Sequence, residues 1–221
     1  GGTDSASPAG LMFNASTCAI TLGTSAPGTY TVTYAIAAGG GCTTYSTTTS
    51  VTITAAPGAT IAFSGSPYCS RGGTATVTMT GSTSGTYSAL PTGLSINAST
   101  GVVTLGASSP GTYTVTYGIA AGGGCAAFST SAAIAVTPAP SATIFYGGSP
   151  YCDGAGAASV TLTGSTGGTF GAGPAGLALN ALTGMVDPGA SAPGNYTVTY
   201  AIAAGVGCPI FSTSTPVVVT A

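Results

Sequence analysis

The stretch Gly111–Tyr117, GTYTVTY, occurs three times in this chain, and the other segments recur around it. Its other copies run from Gly28 to Tyr34 and from Gly194 to Tyr200, where asparagine takes the second place. Each copy is followed by an isoleucine, a glycine-rich run and a cysteine, and the three cysteines are evenly spaced: Cys42, Cys125 and Cys208. The resulting period of about 83 residues indicates tandem copies of one small domain.

Large side chains alternate with threonine along the repeated stretch. Tyr113, Val115 and Tyr117 share one face, and the intervening threonines share the other, so the period of two predicts a half-buried β-strand. Each complete repeat shows six or seven such segments, separated by Pro, Gly and Asn turns. The sequence therefore predicts an all-β fold of tandem Ig-like antiparallel β-sandwiches, with no helix.

The repeat period sets the predicted domain boundaries. Residues 1–55 form an incomplete repeat without its first strands, and residues 56–138 and 139–221 form two complete repeats. We expect the first repeat to be either part of a longer polymer or a subunit that another chain completes. A domain as small as one repeat buries little of its surface and needs reinforcement, which six cysteines could supply.

Charge is almost absent from the chain. One base, Arg71, and three acids, Asp4, Asp153 and Asp187, are present, and there is no histidine. Nucleic-acid binding needs many basic residues to neutralise phosphates, so we expect no nucleic-acid partner. No apolar run approaches the ~20 residues of a membrane-spanning helix, so we expect no membrane-spanning segment. Solubility must then come from glycans, from tethering, or from packing against other copies.

The residues needed for catalysis or metal binding are also missing. A serine or cysteine nucleophile needs a base such as imidazole, and a glycosidase needs two carboxylates about 5–10 Å apart. The three aspartates lie at unrelated positions of the repeat, and the cysteines lack C-x-x-C spacing. The sequence therefore predicts no enzyme, no catalytic residue, no metal site and no cofactor.

Two segments carry a resemblance to a known group. Leu90–Val103, LPTGLSINASTGVV, followed by Pro110–Thr116, resembles the Ig-like and cadherin-like repeats of large bacterial surface proteins. The Pro-Tyr-Cys and Gly-Gly-Cys segments are similar to those of secreted adhesins of Bacteroidota, including gliding-motility adhesins. The resemblance implies an extracellular stalk or filament at the cell surface. The linkers lack the clustered acids that bind calcium in cadherins, so their prolines must provide stiffness.

The cysteines are expected to form structural disulfides. Spacing within the complete repeats favours Cys69–Cys125 and Cys152–Cys208, and Cys18–Cys42 is the local option in the first repeat. A rival pairing remains open, because the first and last hairpin loops of a sandwich lie at opposite ends. In that case Cys69 would face the next repeat and bond to Cys208.

Tyrosines and asparagines offer further candidates. The tyrosines of the repeated stretch could form a sugar-stacking platform, but their phase with valine predicts core packing, with hydroxyls satisfied at the sandwich corner. The glycine run before each cysteine predicts a tight loop. Asn14, Asn97 and Asn195 match the N-glycosylation pattern, the first two also suiting turns, and Ser5 follows Asp4 in an O-glycosylation-like triplet.

These observations predict a structural stalk or filament segment of an extracellular adhesin, with adjacent repeats or other copies as partners. A self-assembling, pilin-like subunit completed by donor strands is one alternative. A carbohydrate-binding module array, with surface glycans as partners, is the other. Buried tyrosines would favour the first two over the third.

Overall fold

The computed structural model describes all residues from Gly1 to Ala221. The first repeat contributes three strands: β1 (Thr3–Ser7), β2 (Gly28–Ile36) and β3 (Tyr45–Ile53). The second contributes β4 (Ala59–Ala62), β5 (Tyr68–Cys69), β6 (Thr74–Ala75), β7 (Thr78–Gly81), β8 (Thr86–Leu90), β9 (Val103–Thr104), β10 (Gly111–Ile119) and β11 (Phe128–Thr137). The third contributes β12 (Ala142–Phe145), β13 (Tyr151–Cys152), β14 (Thr161–Gly164), β15 (Thr169–Gly173), β16 (Ala178–Leu179), β17 (Val186–Asp187), β18 (Gly194–Ile202) and β19 (Phe211–Thr220).

The only helical segments are three single 3₁₀ turns, Leu22–Thr24, Leu105–Ala107 and Pro188–Ala190, one in each repeat. The prediction of an all-β, tandem Ig-like fold is confirmed. No helix is long and apolar enough to cross a membrane.

The three copies of the repeated stretch form the central strands β2, β10 and β18. Their sheets have the orders β1-β2-β3, β5-β11-β10-β8 and β13-β19-β18-β15, and the smaller pairs are β4-β7, β6-β9, β12-β14 and β16-β17. The β2–β3 and β18–β19 pairs are antiparallel over nine residues. The short strands β5 and β13 instead run parallel to the ends of β11 and β19.

Two compact units can be distinguished in the chain. One comprises Gly1–Thr60, Thr80–Gly85 and Tyr117–Thr130, and the other comprises Ile61–Met79, Thr86–Thr116 and Ser131–Ala221. The third repeat lies wholly in the second unit, and the first repeat lies wholly in the first. The boundaries 1–55, 56–138 and 139–221 stay a prediction from the sequence period.

The core of the third repeat shows how the strands meet. Tyr200, Val198 and Val217 from β18 and β19 pack with Ile144 and Tyr146 from the opening segment of the repeat. The side chains that alternate with threonine are therefore the buried ones, and the predicted core packing of the tyrosines is confirmed in β10 and β18.

The tyrosine hydroxyls find partners inside the protein. Tyr30, Tyr113 and Tyr196 each donate to the carbonyl oxygen four residues earlier, at 2.6–2.7 Å. The hydroxyl of Tyr200 accepts from the backbone N–H of Gly168 at 2.8 Å. Such bonds offset the cost of removing the hydroxyl groups from water.

Candidate functional site: the disulfide-bonded junction

The most distinctive chemical feature of the molecule is a disulfide between Cys69 and Cys208. The sulfur atoms are 2.04 Å apart, the Cα atoms are 4.7 Å apart, and 139 residues separate the two cysteines in sequence. Cys69 ends β5 in the second repeat, and Cys208 closes a tight turn of the third. The bond therefore links two consecutive repeats within one compact unit.

The favoured pairings Cys69–Cys125 and Cys152–Cys208 are wrong, and the rival pairing Cys69–Cys208 is the one formed. Cys69 lies beside Thr137 at the end of β11, whereas Cys125 lies just before β11 begins. A ten-residue strand at ~3.3 Å per residue is about 30 Å long, far beyond disulfide reach. Cys152 and Cys208 are separated in the same way by β19.

The cysteines outside this bond are free: Cys18, Cys42, Cys125 and Cys152. The local option Cys18–Cys42 is therefore wrong as well. Cys18 has a left-handed backbone with φ of 54°, at the position where the other repeats have Gly101 and Gly184. A hydrogen bond with Asp4, with a lesser effect from that carboxylate's charge, raises the pKa of the exposed Cys18 thiol.

Each late cysteine closes the tight loop that the sequence predicts. Gly122 and Cys125 exchange backbone hydrogen bonds at 3.1 and 2.9 Å, and Gly205 and Cys208 do so at 3.0 and 2.9 Å. The residues between them have positive φ, which is why glycine predominates there. Val206, with φ of 48°, is the exception in the third repeat.

The hydroxyl of Thr137 supports the bonded junction. Its Oγ1 lies 3.1 Å from the carbonyl oxygen of Tyr68 and 2.7 Å from that of Val206. The hydroxyl is thus within hydrogen-bond distance of both repeats that the disulfide joins. Sequence reasoning missed this residue, although Thr54 takes the same place one repeat earlier.

The only base of the chain also lies at this junction. The Arg71 guanidinium carbon is 5.8 Å from the centre of the Phe211 ring, within the range of a cation–π contact. Arg71 follows Cys69 by two residues and Phe211 follows Cys208 by three, so the disulfide brings them together. That proximity to the cysteines was the signal that could have predicted the contact.

The acidic residues do not form a site. Asp4 lies in β1, Asp153 follows β13 and donates its N–H to Thr220, and Asp187 ends β17. No three His, Cys, Asp or Glu side chains gather where they could hold a metal ion.

The glycosylation candidates occupy ordinary structural positions. The Asn14 and Asn97 side-chain oxygens each accept two backbone N–H groups from the following turn, at 2.9–3.1 Å. Asn180 does the same without the glycosylation pattern, which favours the turn role. Asn195 is paired with Val218 within a sheet, and Ser5 with Thr33. Modification of Ser5, Asn14, Asn97 and Asn195 stays a prediction.

Comparison with known proteins agrees with the Ig-like fold. The family described as "Putative Ig domain" matches residues 2–56. No curated protein matches the chain.

Solved structures give only distant similarities. Three Ig domains of titin are 11% identical, with a TM-score of 0.45, over 100% of this chain and 87% of that one. The insect immune protein hemolin is 14% identical, with a TM-score of 0.42, over 87% of this chain and 55% of that one. The EC1–4 region of Drosophila N-cadherin is 11% identical, with a TM-score of 0.35, over 100% and 67%. The chain thus spans about half of the hemolin structure.

Proposed function

We propose that this chain is a structural stalk or filament segment of an extracellular cell-surface adhesin. The observation that carries the proposal is the Cys69–Cys208 bond, which joins consecutive Ig-like repeats. Disulfides persist in oxidising, extracellular surroundings, and a bond between repeats is suited to resisting separation under load. The resemblance of the repeats to secreted adhesins of Bacteroidota supports the same role, including a place in surface gliding.

The rest of the junction suits a mechanical role. Beside the disulfide lies a cavity of about 320 Å³ with a mainly apolar lining, formed by Thr137, Pro138, Pro140, Ile202, Ala203 and Val206. The prolines restrict the linker between the repeats, and the Arg71–Phe211 contact adds a second connection. The disulfide and the Arg71–Phe211 contact thus both connect the second repeat to the third.

Single-molecule extension tests the proposal directly. Cys69 and Cys208 are 139 residues apart in sequence. When the ends of the chain are pulled, the segment between them cannot be extended as long as the bond is intact. At ~3.6 Å per extended residue, reduction should release about 500 Å of additional length. At forces that extend this segment in the Cys69→Ser/Cys208→Ser variant, the oxidised chain should keep it closed. A mechanical role would be contradicted if the oxidised chain and the Cys69→Ser/Cys208→Ser variant showed equal extended lengths and equal unfolding forces.

The carbohydrate-binding alternative is not supported by the tyrosines of the complete repeats. Tyr113, Tyr117, Tyr196 and Tyr200 are each at most 5% exposed, so their rings cannot stack on sugars. A stacking platform needs exposed aromatic faces in every repeat.

A pilin-like fibre subunit is the second candidate, and one observation favours it. Leu22, Tyr34 and Ile36 of the first repeat are exposed, although their counterparts in the second repeat are buried. Donor strands from a neighbouring chain could cover these side chains. Sedimentation over a range of concentrations tests this: fibres should form reversibly, and a monomer at every concentration would contradict it.

A further inference from the structure

The loops Gly122–Cys125 and Gly205–Cys208 have the same hydrogen bonds but different surroundings. At the bonded loop, a Cβ added to Gly207 would collide with the carbonyl oxygen of Pro67. At the free loop, a Cβ added to Gly124 would meet nothing within 4 Å. Space that the segment Pro67–Cys69 fills beside Cys208 is therefore open beside Cys125.

The junction between the first and second repeats nevertheless already has part of the same arrangement around Cys125. The Cys125 sulfur lies 3.5 Å from the carbonyl oxygen of Ala55, just as the Cys208 sulfur lies 3.7 Å from that of Pro138. A Cβ added to Gly123 would stand 3.4 Å from Thr54, the counterpart of Thr137. The linker thus sits against the loop in the same way at both places.

The open space is a groove of about 240 Å³ at the end of β3. Its lining includes Leu22, Ile53, Thr54, Gly124 and Cys125. The corresponding end of β11 carries β5 in parallel pairing, Tyr68 beside Val136 and Cys69 beside Thr137. The N–H of Ser70 donates to the carbonyl oxygen of Thr137 at 2.9 Å to complete that pairing.

We propose that this groove binds an extended Ser-Pro-Tyr-Cys strand of another Ig-like repeat, whose cysteine forms a disulfide with Cys125. The strand lies parallel to the end of β3, as β5 lies along β11. It comes from a repeat outside this sequence, because the chain's own copies, Tyr68–Cys69 and Tyr151–Cys152, are held on β11 and β19. The inference deepens the proposed stalk function by naming the partner of this junction.

The bond forms by thiol–disulfide exchange, with a disulfide as the oxidant. The Cys125 thiolate attacks the peptide sulfur of a strand that carries glutathione on its cysteine. The bond between the peptide sulfur and glutathione breaks, the new bond to Cys125 forms, and glutathione leaves as a thiolate that takes up a proton. One disulfide is consumed and one is made.

The test uses the peptide Gly-Ser-Pro-Tyr-Cys-Ser, the sequence of residues 65–70, as its mixed disulfide with glutathione. It is equilibrated with the full chain carrying Cys18→Ser, and adducts are located by non-reducing peptide mapping. Cys42 is the matched control, since it closes the same Gly-Gly-Gly-Cys loop and Gly39, Gly40 and Gly41 have no neighbour within 4 Å of an added Cβ. We expect Cys125 to carry at least about tenfold more peptide than Cys42, because only there can the strand form backbone hydrogen bonds.

Two controls separate strand binding from thiol reactivity. A scrambled peptide, Gly-Ser-Cys-Tyr-Pro-Ser, should label Cys125 and Cys42 alike. Thr54→Ala should lower the preference about threefold, since Thr137 contributes its hydroxyl to Tyr68 at the bonded junction. Equal labelling by the first peptide would overturn the proposal. So would a second copy linked through its Cys152 in place of the peptide.

This result is separate from the stalk proposal. Extension of the Cys69–Cys208 loop measures load at the existing bond, and peptide labelling measures the groove beside Cys125. A chain that extends as expected but labels evenly would retain the stalk function and lose the strand site.

Discussion

The first and third repeats share one motif but bury it differently. Tyr34 in β2 is 37% exposed, whereas Tyr200, its counterpart in β18, is 1% exposed. In the third repeat, Ile144, Tyr146 and their neighbours from the opening segment cover the central sheet. The repeated stretch therefore specifies a strand and its inward face, while burial of that face depends on a second layer of strands.

The 3₁₀ turns show the same difference. Leu22 is 70% exposed, but Leu105, the corresponding residue of the second repeat, is 6% exposed. Leu105 donates its N–H to the carbonyl oxygen of Gly73, next to β6, so an opening segment also covers this turn. Stability should therefore be concentrated in the second and third repeats.

The largest expected effect comes from removing the junction bond. In the chain-entropy model, a disulfide between cysteines 139 residues apart raises the free energy of unfolding by about 5 kcal/mol. The Cys69→Ser/Cys208→Ser variant should therefore be less stable by roughly that amount. Guanidinium unfolding, followed by tyrosine fluorescence and circular dichroism, measures the loss. The transition of the third repeat should move while that of the first sheet stays in place.

The matched control for that variant is Cys125→Ser/Cys152→Ser, which changes cysteines at the same two repeat positions without breaking a bond. It should unfold within about 0.5 kcal/mol of the parent chain. Equal losses in the two double variants would contradict the role of the bond.

The next effect tests the burial difference between the first and third repeats. Tyr200→Ala should cost about 4 kcal/mol, because it leaves a cavity and removes the acceptor for the N–H of Gly168. Tyr34→Ala should cost about 1 kcal/mol, since water can replace most of its contacts. Chemical unfolding of each variant gives the two values, and Tyr200→Phe separates the hydroxyl from the ring. Similar losses at both positions would mean that the first sheet is covered in solution.

Much of the fold could be predicted from the sequence, because alternation reports local strand structure and inward faces directly. Alternation assigns Tyr113, Val115 and Tyr117 to the core, and all three are buried. The exposure of Tyr34 could not be predicted in this way, since its local sequence is the same. Burial is set by residues that are distant in sequence.

The disulfide shows a second limit of sequence reasoning. Cys125 is much nearer to Cys69 in sequence than Cys208 is, and spacing alone favours the shorter loop. The decisive fact was the direction of β5, which runs parallel to the end of β11 and so carries Cys69 to the far end of its repeat. Strand direction of a two-residue segment leaves no signal in composition or period.

A smaller, pH-dependent effect compares the complete repeats. Tyr146 is buried where the second repeat has Phe63, and it donates its hydroxyl to the carbonyl oxygen of Gly184. Burial, with a lesser effect from the charge of Tyr151, raises the pKa of Tyr146 to about 12. Burial favours the neutral form of Tyr146 in the folded state. The contribution of Tyr146 to the free energy of unfolding is therefore complete below pH ~10, the pKa of the unfolded state, and is lost as the pH rises towards 12.

Unfolding free energies of the third repeat between pH 9 and 12 check this expectation. Tyr146→Phe introduces the residue that the second repeat has at this position. It should make the free energy of unfolding fall less steeply with pH, and it should lower that free energy by about 1 kcal/mol at pH 9 through the lost hydrogen bond. A parent chain whose stability does not fall over this range would contradict the assignment to Tyr146.

The smallest effect concerns one backbone position in the first repeat. Cys18 has φ of 54°, whereas Gly101 and Gly184 have φ of 70° and 72° at the same position. A Cβ at Gly184 would stand 2.6 Å from Val160, so glycine is required there for space as well as for conformation. Cys18 is exposed, so its side chain meets no such collision, but its left-handed backbone is still strained.

Cys18→Gly should therefore stabilise the first sheet by about 1 kcal/mol, measured by hydrogen exchange of β2 amides. Cys18→Ala keeps the Cβ and removes the thiol that contacts Asp4, so it should give no gain. A gain of equal size in both variants would assign the effect to the thiol and leave the backbone without a measurable cost.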